Sequence, residues 1–508
     1  AIQDGDVYDS GVIFRGSTIR GSDPVTKTFQ SFYRVENGAV NFSEEWPQLE
    51  ELSAYVVTDD NNIDIEAFGG SSLGLEIESV SGEIRRDESD ANWLTLSGNV
   101  AGLTSQALDY LQQAPLGQGL KDTFASWQAE GEFVADIEVA VPLNRPENDT
   151  AVRLDIAVTD NKISIPDYAL EVAQLSGPII FDTKLGLEES NLSGQLFDGP
   201  VELTISSQLI DGGRGEIATI LVDADGISSP EELAEWPLQS GFVRDLLARA
   251  AGEIDFHASL SIDQRDTAEV RNKLVIESDL MGASLVLPTP FNKSTSSSLP
   301  LHVELEFGEQ QGVSGNLGSV LAFDLALLGG VVVDGVVYVG EGAPDPATLG
   351  DSETEGLVIV GELNHFELEQ WTDFFSGITS VENPAQGFAN NVAFVDVMID
   401  NFVFYDQQLA DVAMRIEPDE IDQGWLTKLN SDSLAGWVTI PYDSTDYLDL
   451  DFEYLRLPGD DEETLNDTAD SLATPGALEE QERIDVLANI DPSELPRMHF
   501  ATDELSIG

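Results

Sequence analysis

Cysteine is absent from the 508 residues. That excludes a thiol or thiol-redox enzyme and a disulfide scaffold. Cationic side chains are scarce: 23 Lys and Arg stand against 94 Asp and Glu, a formal charge of −71. A field of that sign repels nucleic acid and anionic membrane surfaces, so neither is an expected partner. The four histidines, His257, His302, His365 and His499, lie far apart, and none has a second His or a paired acid at ligand spacing. No run reaches the ~18 apolar residues of a membrane helix. The longest stretch, around Val320–Val339, is broken by Asp324, Gly329, Gly330, Asp334 and Gly335 and predicts two strands and a turn. Also missing are the nucleophile elbow, the HExxH zinc helix, the phosphate-binding loop and the dinucleotide fingerprint.

What is present is apolar alternation. Hydrophobic residues make up 42% of the chain, ample for a folded protein. The pattern is clearest in 274–307, LVIESDLMGASLVLPTPFNKSTSSSLPLHVELEF, read as two strands flanking an irregular crossing. On the second strand Leu299, Leu301, Val303, Leu305 and Phe307 share one face, with His302, Glu304 and Glu306 on the other. Period two gives a strand with one apolar and one wet side. Pro288 and Pro290 between the strands lack ladder donors and place this piece at an edge or rim. In GEFVADIEVAVPL (131–143), Phe133, Ala135, Ile137, Val139, Val141 and Leu143 form a second apolar stripe.

The same layout recurs. Residues 1–36 read as a turn-rich start, DGDVYDSG, followed by a strand pair. Residues 39–84 read as strands separated by turns at Trp46-Pro47, Asp59–Asn62 and Gly69-Gly70. A similar passage at 163–206 matches Leu49 and Leu52 to Val172 and Leu175, and Ile63 and Ile65 to Leu185 and Leu187, with a weaker echo at 396–416. Tandem supersecondary units predict a quasi-linear, stacked β architecture. Four helical segments are predicted at 107–116, 121–128, 230–252 (split at Pro237 and capped by Gly252) and 365–377. Two of them lead through Gly-Glu into a long strand. The acidic, aromatic-poor stretch 458–496 predicts a long mobile loop. The resulting organisation is three β modules, 1–150, 151–310 and 311–457, then that loop, then a further strand at 497–508. Ala1 is not a methionine and Gly508 falls inside an alternating pattern, so the chain reads as a piece of a longer one.

Acidic clusters at 4–9, 59–64 and 223–226 supply calcium-type oxygens but fit no EF-hand register, and Asp and Asn are favoured in β-turns anyway. GGRGE at 212–216 reads as a turn. Paired carboxylates for glycoside hydrolysis are set by geometry rather than spacing, yet no aromatic ladder accompanies them. The apolar stripes themselves would fill a sheet-on-sheet core in an ordinary β protein.

The run SDLMGASLVLPTPFNKSTSSSLPLHVEL (278–305) resembles the signature of YhdP-type proteins of the AsmA-like superfamily. So do the Trp46-Pro-x-Leu49 unit, LSGNVAGLTSQALDYLQQAPL (96–116), the segment Gly177–Leu187 with LFDGPV (196–201), and DPSELPRMHFATDELSIG (491–508). The resemblance implies a mainly β fold, an elongated, curled, antiparallel β-groove with a few short helices. It further implies a non-enzymatic, periplasmic role in a protein anchored to the inner membrane of a Gram-negative cell. The groove would carry phospholipid acyl chains between inner and outer membranes, which parts beyond this chain would contact. No catalytic residue, metal ligand or cofactor carries over. Moving an acyl chain of ~16 methylenes into water costs about 13 kcal/mol, and an apolar trough would remove most of that cost. The residues expected to line it are Phe133, Ile137, Val139, Val141, Leu203, Leu299, Leu301, Val303 and Leu305. The alternatives are a structural or adhesive β-solenoid with a filled interior and a polysaccharide-acting enzyme.

Overall fold

The computed structural model describes residues 2–507 except 22, 24–26, 42–45, 89, 115–117, 145–149, 211–215, 238–240, 265–271, 309, 351–353, 377–390, 405–406, 420–423, 443–445 and 458–496. The expected loop at 458–496 and most of the 212–216 turn therefore lie outside the described residues.

The chain is mainly β: 27 strands belong to one large, mostly antiparallel sheet, and two more pair separately. The first strands are β1 (Ile2–Arg15), β2 (Thr28–Val40), β3 (Leu49–Asp59), β4 (Asn62–Ser72), β5 (Leu75–Arg86) and β6 (Asn92–Leu103). Helices α1 (Thr104–Gln113) and α2 (Gln118–Phe124) precede β7 (Gln128–Pro142), β8 (Ala151–Ile165) and β9 (Leu170–Asp182). Then come β10 (Gly186–Leu187), β11 (Ser190–Leu196), β12 (Gly199–Leu209) and β13 (Ile217–Ser228). Helices α3 (Pro230–Leu233) and α4 (Gly241–Leu247) lead to β14 (Ala250–Ala251), β15 (Ile254–Asp263), β16 (Lys273–Ser278), β17 (Ser284–Leu285) and β18 (Leu301–Glu306). The next run is β19 (Gln311–Leu317), β20 (Leu321–Leu328), β21 (Val331–Gly340), β22 (Leu357–Leu363) and β23 (Phe366–Glu367). Helix α5 (Leu368–Ser376) comes before β24 (Val392–Phe404), β25 (Gln407–Asp419), β26 (Gly424–Asn430), β27 (Leu434–Pro441), β28 (Leu448–Leu457) and β29 (Met498–Ile507).

Two compact units emerge. The first holds Ala1–Leu238, Glu253–Ser278 and Glu306–Gly308; the second holds Gln239–Gly252, Asp279–Leu305 and Glu309–Gly508. In the first unit the strands run mostly as an antiparallel meander, each hydrogen-bonded to its predecessor in the chain. In the second, parallel ladders join β21 to β22, β22 and β23 to β24, and β28 to β29. Tight turns set the registers. Leu73-Gly74, Phe197-Asp198 and Gly329-Gly330 each carry positive φ at both central residues. That is the hairpin geometry matching the twist of the flanking strands.

Several expectations are corrected. Gly69-Gly70 lies inside β4 at a register shift, and the chain turns at Leu73-Gly74 instead. DGDVYDSG is part of β1, which absorbs its glycines and Asp9 as irregularities along one strand. The 230–252 segment does split, but into two short helices followed by β14, so Gly252 caps no helix. At φ +113 Gly252 sits beside the Gly282 carbonyl, where a Cβ would clash. The repeat at 163–206 is partial: Ile63 and Ile65 ride on an eleven-residue strand, whereas Leu187 sits on a two-residue one and Leu185 in a turn. The first strand of the 274–307 crossing ends at Ser278.

The crossing is pinned from within. Lys293 is buried, and its ammonium donates to the carbonyls of Leu280 (2.5 Å), Ala283 (2.7 Å) and Ser294 (3.2 Å). Burial pushes its pKa below the ordinary lysine value, with Asp279 opposing.

Candidate functional site

Residues directly opposite in a ladder share a face of the sheet. In the first unit one such row runs Ala54–Ala67–Val80–Gly98–Ile137–Leu154–Phe181 across β3 to β9. Another runs Leu192–Leu203–Ala224–Ala258–Ile276 across β11, β12, β13, β15 and β16. Phe133, Ala135, Val158, Leu175, Leu192 and Leu203 belong to one apolar cluster, with Ile137, Ile156, Ile179, Val222 and Phe256 half-buried against it. Parallel to it on the opposite face runs Tyr55–Glu66–Ser81–Ser97–Glu138–Arg153–Asp182. One side of the sheet is therefore apolar and the other acidic.

The second unit repeats the arrangement. Gly315–Phe323–Val337–Ile359–Val395–Ile416–Thr427–Val438–Leu450–Phe500 is a single row across ten strands. Phe323, Val337, Ile359, Val395, Ile416 and Leu450 are half-buried, and Phe500 is exposed. Thr427 is the polar member of the row; its hydroxyl, in a side chain 5% exposed, has no partner among the described residues. On the reverse face Asp396–Arg415–Lys428–Trp437–Asp451 stand in line.

Each apolar face is filled in one region and left half-covered elsewhere. In the first unit α1 packs on β7, setting Ala107 and Tyr110 against the cluster. Its first turn is held by Asn161, which is fully buried on β8 and donates to the Thr104 hydroxyl at 2.7 Å. Burial raises the Tyr110 pKa, partly offset by a Ser72 hydrogen bond. In the second unit α5 brings Trp371 into a stack with Phe366 and Phe402, centroids 5.7 Å apart at each step. Around it Ile399, Leu409 and Val412 are almost fully buried.

Phe133, Ile137, Val139 and Val141 share the apolar face of β7; Phe133 and Val141 are buried, Ile137 and Val139 half-buried. Leu203 on β12 lies in the same cluster as Phe133 and is buried. Leu301, Val303 and Leu305 alternate along β18, with Leu299 just before it, and all four are half-buried. The first five residues are thus brought together in one unit, and the last four lie in the other. The long row through Phe323, Val395, Ile416 and Leu450 was not singled out from sequence, although VAFVDVMID alternates visibly within β24.

The polar residues have other roles. His302 and Glu304, 3.2 Å apart, line a polar pocket of about 460 Å3 with Ser314, Asn316, Asp324 and Asp345. Asp223 and Asp225 sit mid-strand in β13, not in a turn; they accept from Ser259 and meet His257 across the ladder. Asp60 accepts from the Phe29 amide at 2.8 Å, and Asp64 pairs with Arg85. Among the described residues no group of three or more His, Cys, Asp or Glu is placed to hold a metal ion. No described helix is long and apolar enough to cross a membrane.

A family model described as YhdP protein matches residues 1–508. The chain is also similar to the intermembrane phospholipid transporter YhdP of Escherichia coli (strain K12), 21% identical over 293 residues. That match covers 57% of this chain and 21% of the relative, so the chain spans about a fifth of that protein's length. No solved structure matches.

Proposed function

The chain belongs to the YhdP family, and from that premise we propose that its apolar faces form a non-enzymatic groove for phospholipid acyl chains. The single observation supporting this most directly is incomplete coverage. Ile137, Val139, Val395, Ile416 and Leu450 lie in apolar rows many strands long and keep part of their surface uncovered. Uncovered apolar surface is unfavourable in water by roughly 25 cal/mol per Å2, and a lipid tail would relieve that. Tails would lie along Phe133, Ile137, Val139, Val141, Leu203, Leu299, Leu301, Val303 and Leu305, with headgroups in solvent. In this reading the chain is a segment of a curled β-groove in the periplasm, built from modules near 1–150, 151–310 and 311–457. It would conduct lipid between the two membranes of the envelope, with parts outside the chain making the membrane contacts.

The test is photo-crosslinking of phospholipid to the purified chain and to the Ile137→Asp/Val303→Asp variant. Wild type should capture lipid and the variant, still folded, should lose most of it. Equal capture by the two proteins would remove the groove from consideration.

A further inference from the structure

Of the ladder pairs on the apolar faces that join a glycine to a phenylalanine, three have the ring over the glycine: Gly226 with Phe256, Gly315 with Phe323 and Gly436 with Phe452. In each pair the ring leans over the glycine. A Cβ built there would stand 2.6 Å, 2.9 Å and 2.6 Å from the nearest ring atom, respectively. Those separations are well inside the ~3.5–4.0 Å of carbon–carbon contact. None of the three glycines has positive φ, so backbone conformation does not demand glycine. What each supplies is room for a ring to lie along the sheet. Side chains on a strand otherwise stand roughly perpendicular to it, and a phenyl group standing up would occupy the space above the apolar face.

We propose that these Gly–Phe pairs set the free depth of the groove, keeping it open to a phospholipid tail. This rests on the acyl-chain reading above and adds to it the residues that decide whether a tail fits. The rings contribute apolar floor, and the glycines keep that floor low. Pairs of this kind occur in both units: Gly315 and Phe323 begin the row that contains Val395 and Ile416, and Phe256 packs beside Ala224 and Leu203. At Gly315 and Gly436 a backbone oxygen also lies close to the built Cβ, at 2.3 Å and 2.4 Å. At Gly226 the nearest backbone oxygen is 3.2 Å away and the crowding comes from the Phe256 ring. Gly226 is therefore the clean probe.

The experiment exposes the whole chain to vesicles of palmitoyl-oleoyl-phosphatidylethanolamine and counts bound lipid by native mass spectrometry. Gly226→Ala should lower loading about tenfold, equivalent to ~1.4 kcal/mol or roughly two methylene contacts. Phe256→Leu should load like wild type, because the shorter side chain cannot fill the space. Gly226→Ala/Phe256→Leu should recover wild-type loading, and Gly226→Ala should lose loading at unchanged amide protection in β13 and β15, since a purely structural role for the glycine would lower protection and loading together. Unchanged loading in Gly226→Ala, or a double variant as poor as the single, overturns the inference while leaving the groove standing. A wild-type chain that takes up no lipid overturns both. A Gly226→Ala chain that loses β13 and β15 protection along with its loading assigns the glycine a structural role and overturns the inference.

Discussion

Replacing Ile137 by Asp separates a half-covered apolar face from a closed core. Ile137 stands between Gly98 and Leu154 on neighbouring strands and is half-buried. Fully burying an isoleucine side chain is worth ~1.5–3 kcal/mol, so losing half of that costs about 0.8–1.5 kcal/mol. If water reaches this face, the new carboxylate keeps its hydration and little more is lost. Ile399 provides the contrast: it is 0% exposed within the second unit's cluster. Ile399→Asp adds an unpaired buried charge to a cavity, a combination expected to exceed roughly 4–5 kcal/mol. Val134→Asp, on the acidic face at 52% exposure, should move stability by no more than ~0.5 kcal/mol. Urea titrations followed by amide exchange in β7 and β24 report each unit separately, which matters because a chain of two units need not unfold in one step. The expected order of damage is Val134→Asp, then Ile137→Asp, then Ile399→Asp, with a wide gap before the last. Loss of β7 protection in Ile137→Asp as complete as β24 loss in Ile399→Asp would mean that Ile137 lies in a sealed core, and the reasoning fails.

Tyr168 gives a pH prediction. It is buried, its hydroxyl accepts from the Asn272 amide at 2.7 Å, and burial pushes its pKa up to about 12 against that hydrogen bond. A raised folded pKa contributes stability that is complete below the ordinary value of ~10 and lost as pH climbs towards 12. The loss amounts to roughly 2–3 kcal/mol in the first unit, and Tyr168→Phe should abolish it in alkaline urea titrations; parallel losses in both proteins would refute the assignment. Lys293→Met removes the shared donor to the Leu280, Ala283 and Ser294 carbonyls, which should loosen the 279–300 crossing by roughly 1–3 kcal/mol. Amide exchange at Leu285 and Lys293, which exchange backbone hydrogen bonds of 2.9 and 3.0 Å, should accelerate; unchanged protection there would show that the ammonium pins nothing.

Local pattern carried much of the fold. The stripe Phe133 to Val141 alternates strictly, and β7 follows it residue for residue because one face meets α1 and neighbouring apolar side chains while the other meets water. Gly329-Gly330 turns where two glycines between apolar runs predict a turn. Gly69-Gly70 has the same signature but lies within a strand, because a Gly pair serves an irregular ladder as readily as a hairpin. The turn at Phe197-Asp198 was hidden, since positive φ at a phenylalanine is unfavourable locally and its ring is held by tertiary contacts, with the apolar cluster and with the Trp236 ring 6.3 Å away. Parallel ladders such as β22 on β24 depend on distant segments and leave no local trace. Periodicity told which side chains share a face, but not how much of that face is covered. That depends on α1 and α5, which fill some regions and leave Ile137, Val139, Val395 and Ile416 partly uncovered.

The acidity has a structural use that the apolar rows alone could not supply. Arg85 pairs with Asp64 and Glu83, Arg153 with Asp155 and Glu188, and Arg415 with Asp396 and Glu417. Each of these three guanidiniums has its pKa raised, first by a side-chain hydrogen bond to one of its carboxylates. Exposed bridges of this kind are worth little singly. Their effect is to interrupt rows of like charge, which are destabilising when they face one another across a ladder. Together the acids and arginines penalise any slip of register, because a shift of one residue would carry them onto the apolar face and put Ile137 and its neighbours in water. A repeated sheet with few sequence-specific contacts needs such a device to hold one alignment over many strands. Register is thus fixed from both faces, and the apolar residues can vary in size and depth so long as they stay apolar. On the proposed reading, glycine under phenylalanine would shape that surface by floor height rather than by a pocket.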